Sequence, residues 1–238
     1  VKNNFVRFII GLLFLAIASP LFAASQQTSG VTAQAVIDRV RWEYLNESTA
    51  SFWDSDASIL NILNRGVLNI AALTKCMETV EKVVLQTGIT EYAISTNYIS
   101  VEKAIYSGAT VSARPNPYKG LKRVDIKDLA QKEDVGEPTY YYIWNDYLGI
   151  DTFPSSSITG YQVYVYMIER PTELDLSGVS LIPTPAIYDH ALELFIAGQA
   201  FKKQRQYDRS QTFMTEYLGE IAFWKEYLDR VRNVKETP

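Results

Sequence analysis

His190 and Cys76 are the one histidine and the one cysteine of this 238-residue chain, and they bound the chemistry available to it. A histidine acting as general base needs a nucleophile in reach and a group to orient it. No G-x-S-x-G elbow supplies one, and His190 falls in a predicted helix, where it reads as helix surface or part of a helix–helix contact. Cys76 ends an apolar helical stretch and reads as a small buried side chain. One His and one Cys cannot build an all-nitrogen/sulfur zinc site. Ser100-Val101-Glu102-Lys103 matches S-x-x-K in letters, but it lies in a predicted strand, and the companion S-D-N and K-T-G motifs are missing. Asp54 and Asp56 suit a helix N-terminus, where carboxylates meet exposed N–H groups, better than a metal. Phosphate loops of the Walker and dinucleotide types are absent from the sequence. With 27 acidic residues, carboxylate pairs always exist. None is placed as acid, base and nucleophile together. The sequence therefore predicts no enzyme, no cofactor, no metal site and no small-molecule substrate.

The remaining chemistry is electrostatic. Lys202, Lys203, Arg205 and Arg209 surround a predicted turn between two helices. They read either as a solvated helix end that favours positive charge, or as a docking patch for an acidic protein surface or a passing nucleic acid strand. Overall, 23 Lys+Arg against 27 Asp+Glu give a net charge of −4, which argues against holding nucleic acid by bulk charge. Asn46-Glu47-Ser48 fits a glycosylation sequon, which matters only on a eukaryotic secretory route. The 16 tyrosines suggest sheets and large contact surfaces.

Residues 1–24 carry Lys2 and Arg7 and no acid, then an apolar run from Phe8 to Ala18, then small residues ending at Ala23 and Ala24. That is the order of a secretory signal peptide, with a run too short for a permanent membrane helix. An uncleaved anchor, or an upstream extension with the protein proper starting near Val31, would leave the same pattern. Residues 25–31 read as a polar linker.

The elements that must carry these residues follow from periodicity. Thr32 is placed to cap a helix over 33–46, with Val36, Ile37, Val40 and Tyr44 on one face. A second helix, capped by Asp54 or Ser55, runs to about residue 77 on Ile59, Leu63, Val67, Ile70 and Leu73. Gly66 in that face predicts close packing on a neighbour. From Val80 the pattern becomes β: 80–86, 89–95, 99–106, a Pro/Gly loop at 113–120, a strand entering a short helix over 122–130, then 139–145. A hairpin through Asp146–Gly149 and a return at 149–153 follow. Strand 161–169 is apolar on both faces and must be sandwiched or covered. Two helices close the chain. One, about 185–204, carries Ile187, Ala191, Leu194, Gly198 and Phe201. The other, about 207–233, carries Phe213, Tyr217, Ile221, Trp224, Leu228 and Val231, a spacing suited to side-by-side packing. The predicted class is α+β: a helical bundle from the N- and C-terminal helices, with an inserted antiparallel β-sheet subdomain. The predicted division is 32–79 and 183–233 for the bundle, 80–182 for the insertion and 234–238 for a tail.

Several stretches, in order, resemble the head–tail adaptor (connector or neck) proteins of tailed bacteriophages. Thr32–Arg41 resembles their first helix and Leu45-Asn46-Glu47 its exit. Phe52-Trp53-Asp54-Ser55-Asp56, then Ile59, Leu60, Leu63, Asn64 and Gly66, resemble a Trp, Ser/Thr, Asp, Leu-rich-helix, Asn-x-Gly pattern. Ile182-Pro183, then Tyr188, His190, Ala191 and Leu192, resemble the start of the family's closing helix pair. Pro138, Tyr140, Phe153-Pro154 and Tyr161–Pro171 fit the sheet insertion between. The resemblance covers roughly 32–232, and the leader lies outside it. It implies a structural protein with no catalytic residues, assembled in the host cytoplasm into the virion. It also implies a twelvefold ring of copies that docks on the portal protein, meets a downstream tail component and lets double-stranded DNA pass without specific contacts. Partner docking would then fall to the basic turn and the last helix, through Trp224, Arg230, Arg232 and the tail. The alternative, if the leader is decisive, is an exported α+β binding module with Tyr140, Tyr141, Tyr142, Trp144 and Tyr147 as a stacking platform.

Overall fold

The computed structural model describes residues 28–46, 56–108, 118–128 and 134–233. The chain folds as two units. One combines the stretch up to Cys76 with the stretch from Pro171 onward, and the other is Met77–Arg170.

The first unit is helical. Helix α1 (Ala33–Glu43) starts where the sequence places its cap: the Thr32 hydroxyl accepts from the Ala35 N–H at 3.2 Å. Its buried side is Ala33, Val36, Ile37, Val40 and, unexpectedly for a cation, Arg41. Helix α2 (Asp56–Thr74) buries Ile59, Ile62, Leu63, Gly66, Val67, Ile70 and Ala71. Leu73, expected on that face, is exposed. A 3₁₀ turn, Ala186–Tyr188, leads into α3 (Asp189–Lys203), so the predicted 185–204 helix begins more tightly wound than an α-helix. Every residue from Ala191 to Gly198 is buried, which makes α3 the centre of the unit. Helix α4 (Tyr207–Asn233) packs along it. Phe201 and Phe213 stack with centroids 5.4 Å apart, and Phe195 meets Tyr217 edge-on at 5.3 Å. Gly198 lets the two helices close: a Cβ there would stand 3.0 Å from Met214 Sδ.

Residues 171–182, predicted to belong to the insertion, go with the helices instead. Leu174 and Ile182 join the helical core. The Asn64 amide clasps the Leu174 backbone from both sides, Oδ1 accepting from its N–H at 2.9 Å and Nδ2 donating to its carbonyl at 3.2 Å.

The second unit carries two four-stranded sheets rather than a single antiparallel one. Strands β1 (Glu78–Val84), β8 (Gln162–Glu169), β3 (Tyr98–Ser107) and β4 (Tyr118–Gly120) form the first, in the order β1-β8-β3-β4. Strands β2 (Glu91–Ala93), β7 (Tyr147–Ile150), β6 (Tyr140–Trp144) and β5 (Lys122–Arg123) form the second, in the order β2-β7-β6-β5. The β5–β6 pair is parallel, so this sheet is mixed. One core joins the sheets, with Val83, Val101, Val163, Val165 and Met167 from the first and Tyr92, Tyr141, Leu148 and Ile150 from the second. Leu121, the one residue between β4 and β5, is buried in it where the chain steps from sheet to sheet. The predicted loop at 113–120 thus ends in a strand. In the predicted 122–130 segment only two residues are strand, followed by a turn at 126–128.

The two-faced strand 161–169 is covered unequally. Val163, Val165 and Met167 are fully buried, while Tyr164 and Tyr166 on the other face carry Lys82 and Lys103 ammonium groups over their rings at 5.7 and 4.6 Å.

The β6–β7 hairpin turns at Asn145-Asp146, earlier than predicted, with φ of 47° and 63°. Both residue types tolerate this left-handed region, which a two-residue hairpin requires. Gly149 is therefore free for another task. It sits in β7 opposite Tyr142, and the Tyr142 ring fills the place a Cβ would take. Gly149→Ala should displace that ring, break the Tyr142 hydroxyl bond to Glu91, and cost about 2 kcal/mol by overpacking. A thermal melt of G149A beside G149A/Y142A checks it, the second substitution recovering part of the loss.

Candidate interaction surface

The residues that the sequence marks in the helical unit meet in a set of polar clasps. Asp56, in the first turn of α2, accepts from Arg41 Nε at 3.0 Å and Nη2 at 2.7 Å, and from Gln34 Nε2 at 3.2 Å. Arg41 is only 7% exposed, so α1 delivers a nearly buried guanidinium to the carboxylate that opens α2. Asn64 ties α2 to the exit segment, as described. Gly66 brings α2 onto α3: a Cβ would lie 2.6 Å from Leu192 Cδ1 and 2.9 Å from Phe195 Cδ1. Tyr188 is fully buried and Pro183 half-buried at the approach to α3. Trp53 lies outside the described residues.

His190 is on the surface side of α3, as expected, and its Nδ1 lies 2.6 Å from Glu220 Oε2 on α4. The other oxygen of Glu220 accepts from Trp224 Nε1 at 3.4 Å. Glu220 therefore links a helix–helix contact to the aromatic end of α4. There Trp224, partly buried, stands edge-on to Phe223 at 5.2 Å and to Tyr227 at 5.9 Å. Phe223 and Tyr227 are 61% and 52% exposed. Phe223 and Tyr227, with Leu218 exposed on the same helix, are apolar surface that the helical core leaves uncovered.

The basic cluster sits at the α3–α4 turn. Lys202 and Lys203 occupy the last turn of α3, where the helix end favours cations. Arg205 holds the turn at a φ of 62°. The Arg209 guanidinium lies over the Phe201 ring at 5.6 Å. All four side chains are exposed. Arg230 is exposed and pairs with Glu226 one turn back at 2.5 Å; the side chain of Arg232 is outside the described residues.

In the β unit, Pro138 and Pro154 are buried and Tyr140 half-buried, its N–H donating to Asp151 at 3.0 Å. Of the five aromatics proposed as a platform, Tyr141 and Tyr142 belong to the buried set, leaving Trp144 and Tyr147 exposed on the hairpin. Ser100 and Lys103 lie on β3, Lys103 over the Tyr166 ring. Cys76 is half-buried against the helical core. Among the described residues, no group of three or more His, Cys, Asp and Glu could hold a metal ion, and no helix is long and apolar enough to cross a membrane. The leader at 1–24 and the tail at 234–238 fall outside those residues.

Sequence reasoning missed one ionic group altogether. Glu193, in the wholly buried stretch of α3, accepts from Arg39 Nη1 at 2.8 Å, and Asp189 accepts from the Ser29 hydroxyl at 2.7 Å. A charge inside a run of buried residues demands such a partner, and that is the available signal. Burial raises the Glu193 carboxyl above its ordinary range; Arg39 and His190 pull it back, while Glu43 and Asp189 push it up. Burial likewise raises Asp189 against the Ser29 bond and Arg39. A raised carboxyl takes a proton in the folded chain before it does so in the unfolded one, so the folded state gains as pH falls through the raised value. The helical unit should therefore become more stable as pH drops from neutrality toward the ordinary carboxylate range. Glu193→Gln should flatten that slope in urea unfolding at a series of pH values.

A model of the family described as SU10 adaptor protein matches residues 31–236, across both units. No curated protein matches the sequence.

Proposed function

The chain belongs to the SU10 adaptor protein family, a phage structural adaptor, and from that premise we propose that it is a head–tail adaptor of a tailed phage or prophage. Its copies form a ring, twelvefold by the family resemblance, that docks on the portal protein and receives the next tail component. The ring continues the channel through which double-stranded DNA passes. The observation that carries this reading is the family match over 31–236, which spans the helical and the β unit together rather than one fragment.

The physical features agree with a part that works by being packed among copies. Phe223, Tyr227 and the 71% exposed Trp42 on α1 are large apolar groups at the surface of the helical unit. Contacts of this kind gain from burial against a neighbour. A net charge of −4 suits a channel wall along which DNA slides without sticking. The portal and tail contacts are assigned to the end of α4, with Trp224, Arg230 and Arg232, and to the basic turn at Lys202, Lys203, Arg205 and Arg209. The test is direct. Full-length protein mixed with the purified portal of the same phage should sediment as one complex and show a cap on the portal in negative-stain images. A chain that stays monomeric and never joins the portal would refute the assignment.

A further inference from the structure

The β unit ends on two opposite edges of unlike charge. Strand β1 closes one side of the first sheet and β2 the same-numbered side of the second, and the two strands line one groove with Glu81, Lys82, Val84, Ile89, Glu91 and Ala93. The Leu85 N–H donates to the Tyr161 carbonyl and the Glu169 N–H to the Met77 carbonyl, so the odd-numbered residues of β1 turn their main chain toward β8. The N–H and C=O groups of Val80, Lys82 and Val84 then point out of the sheet, and no described residue bonds to them. On β2 the same reasoning, from the Ile94 and Ile150 N–H bonds, leaves Glu91 and Ala93 pointing outward. Val80 and Val84 are exposed β-branched side chains on this edge, which carries neither a proline nor a bulge to block a further strand.

The far edge of both sheets is one short stretch of chain, β4, Leu121 and β5. Its strands carry Lys119, Lys122 and Arg123 and no acid, whereas β1 and β2 carry Glu78, Glu81 and Glu91 against Lys82. The bond from the Leu121 N–H to the Ala104 carbonyl sets Gly120 outward on β4, and the Lys122 and Val124 N–H bonds to Thr139 and Tyr141 set Arg123 outward on β5. Six extended residues reach about 20 Å, close to the roughly 23 Å of the seven-residue β1.

Resting on the ring reading, we infer that copies of this chain join head to tail through the β unit, the basic β4–β5 edge of one copy lying in the acidic groove between β1 and β2 of the next. Main-chain pairing gives the contact its strength, and the charges set which edge meets which. An isologous β1–β1 contact would set acidic strand against acidic strand. A contact between two different patches is the kind that closes a ring.

Cysteines at Val80 and Gly120, in a full-length Cys76→Ser background, test it on the portal-bound assembly with a short bismaleimide. A Cβ at Gly120 meets nothing within 4 Å, so that change leaves the fold intact. V80C and G120C mixed should give a covalent dimer that neither gives alone, and the double variant a covalent ladder. Lys122→Glu should weaken assembly about tenfold, and Glu81→Lys added to it should restore assembly. Dimers from V80C alone would overturn the inference in favour of an isologous contact. A portal-bound ring without any cross-link would overturn it while leaving the ring reading standing. A chain that never assembles would remove both.

Discussion

Gly66→Leu should lower the stability of the helical unit by about 2–3 kcal/mol, even though leucine is the better helix former. The gain in propensity, about 0.8 kcal/mol, is local to α2. The loss is at the contact with α3, where the first added carbon already lies 2.6 Å from Leu192 Cδ1 and 2.9 Å from Phe195 Cδ1. Leu192 is fully buried and α3 is enclosed along that stretch, so neither neighbour has space to retreat. Leu192→Ala alone removes buried methyl groups and should cost about 2–5 kcal/mol. Combined with Gly66→Ala it vacates the place the new Cβ needs, and the pair should cost clearly less than the sum of the single changes. A double-mutant cycle on the helical far-UV signal in urea measures that coupling. Strict additivity would mean that the two helices are not held at this contact.

Asp56→Ala should be the second large loss, about 2–3 kcal/mol. It strips a nearly buried guanidinium of its carboxylate, with two donated hydrogen bonds at 3.0 and 2.7 Å, and ends the bond from Gln34. The loss stays below that of a fully buried pair because the Asp56 side chain is 34% exposed and partly solvated. Asp56→Asn keeps an acceptor and should fall between. Arg230→Ala breaks an exposed pair and should leave the urea midpoint where it was. If Asp56→Ala and Arg230→Ala melted alike, the α1–α2 clasp would be ornamental.

How far the fold could be read from the residues depends on the length of each element. Ile59, Leu63, Val67 and Ile70 repeat often enough to declare a helix face, and all four are buried. Strand β8 announces itself by eight β-rich residues. Strands β2 and β5, at three and two residues, are too short to show any period, so the split into two sheets was not legible. Gly149 has the look of a turn residue, because glycine near Asp146 is a turn signal. Its actual task is to make room for the Tyr142 ring, a cross-strand matter that no window of sequence contains.

The marked residues were legible as a pattern but not as parts. Gly66 was expected to pack closely, and it does. Asn64 and Leu174 stand 110 positions apart, and nothing local in either predicts the clasp. Arg41 could have been suspected, since it follows Val40 on the buried stripe of α1 and needs a partner there. The basic turn is legible only as charge, four exposed cations around a helix end.

The β unit hangs from its scaffold at two points that are neighbours. The chain leaves the helices at Cys76–Met77 and returns at Arg170–Pro171, and the Glu169 N–H bonds the Met77 carbonyl at 2.8 Å. Strands paired this way hold their Cα atoms about 5.5 Å apart. A gap that narrow is one a tight turn can span, so the junction itself puts no demand on the size of what is inserted there.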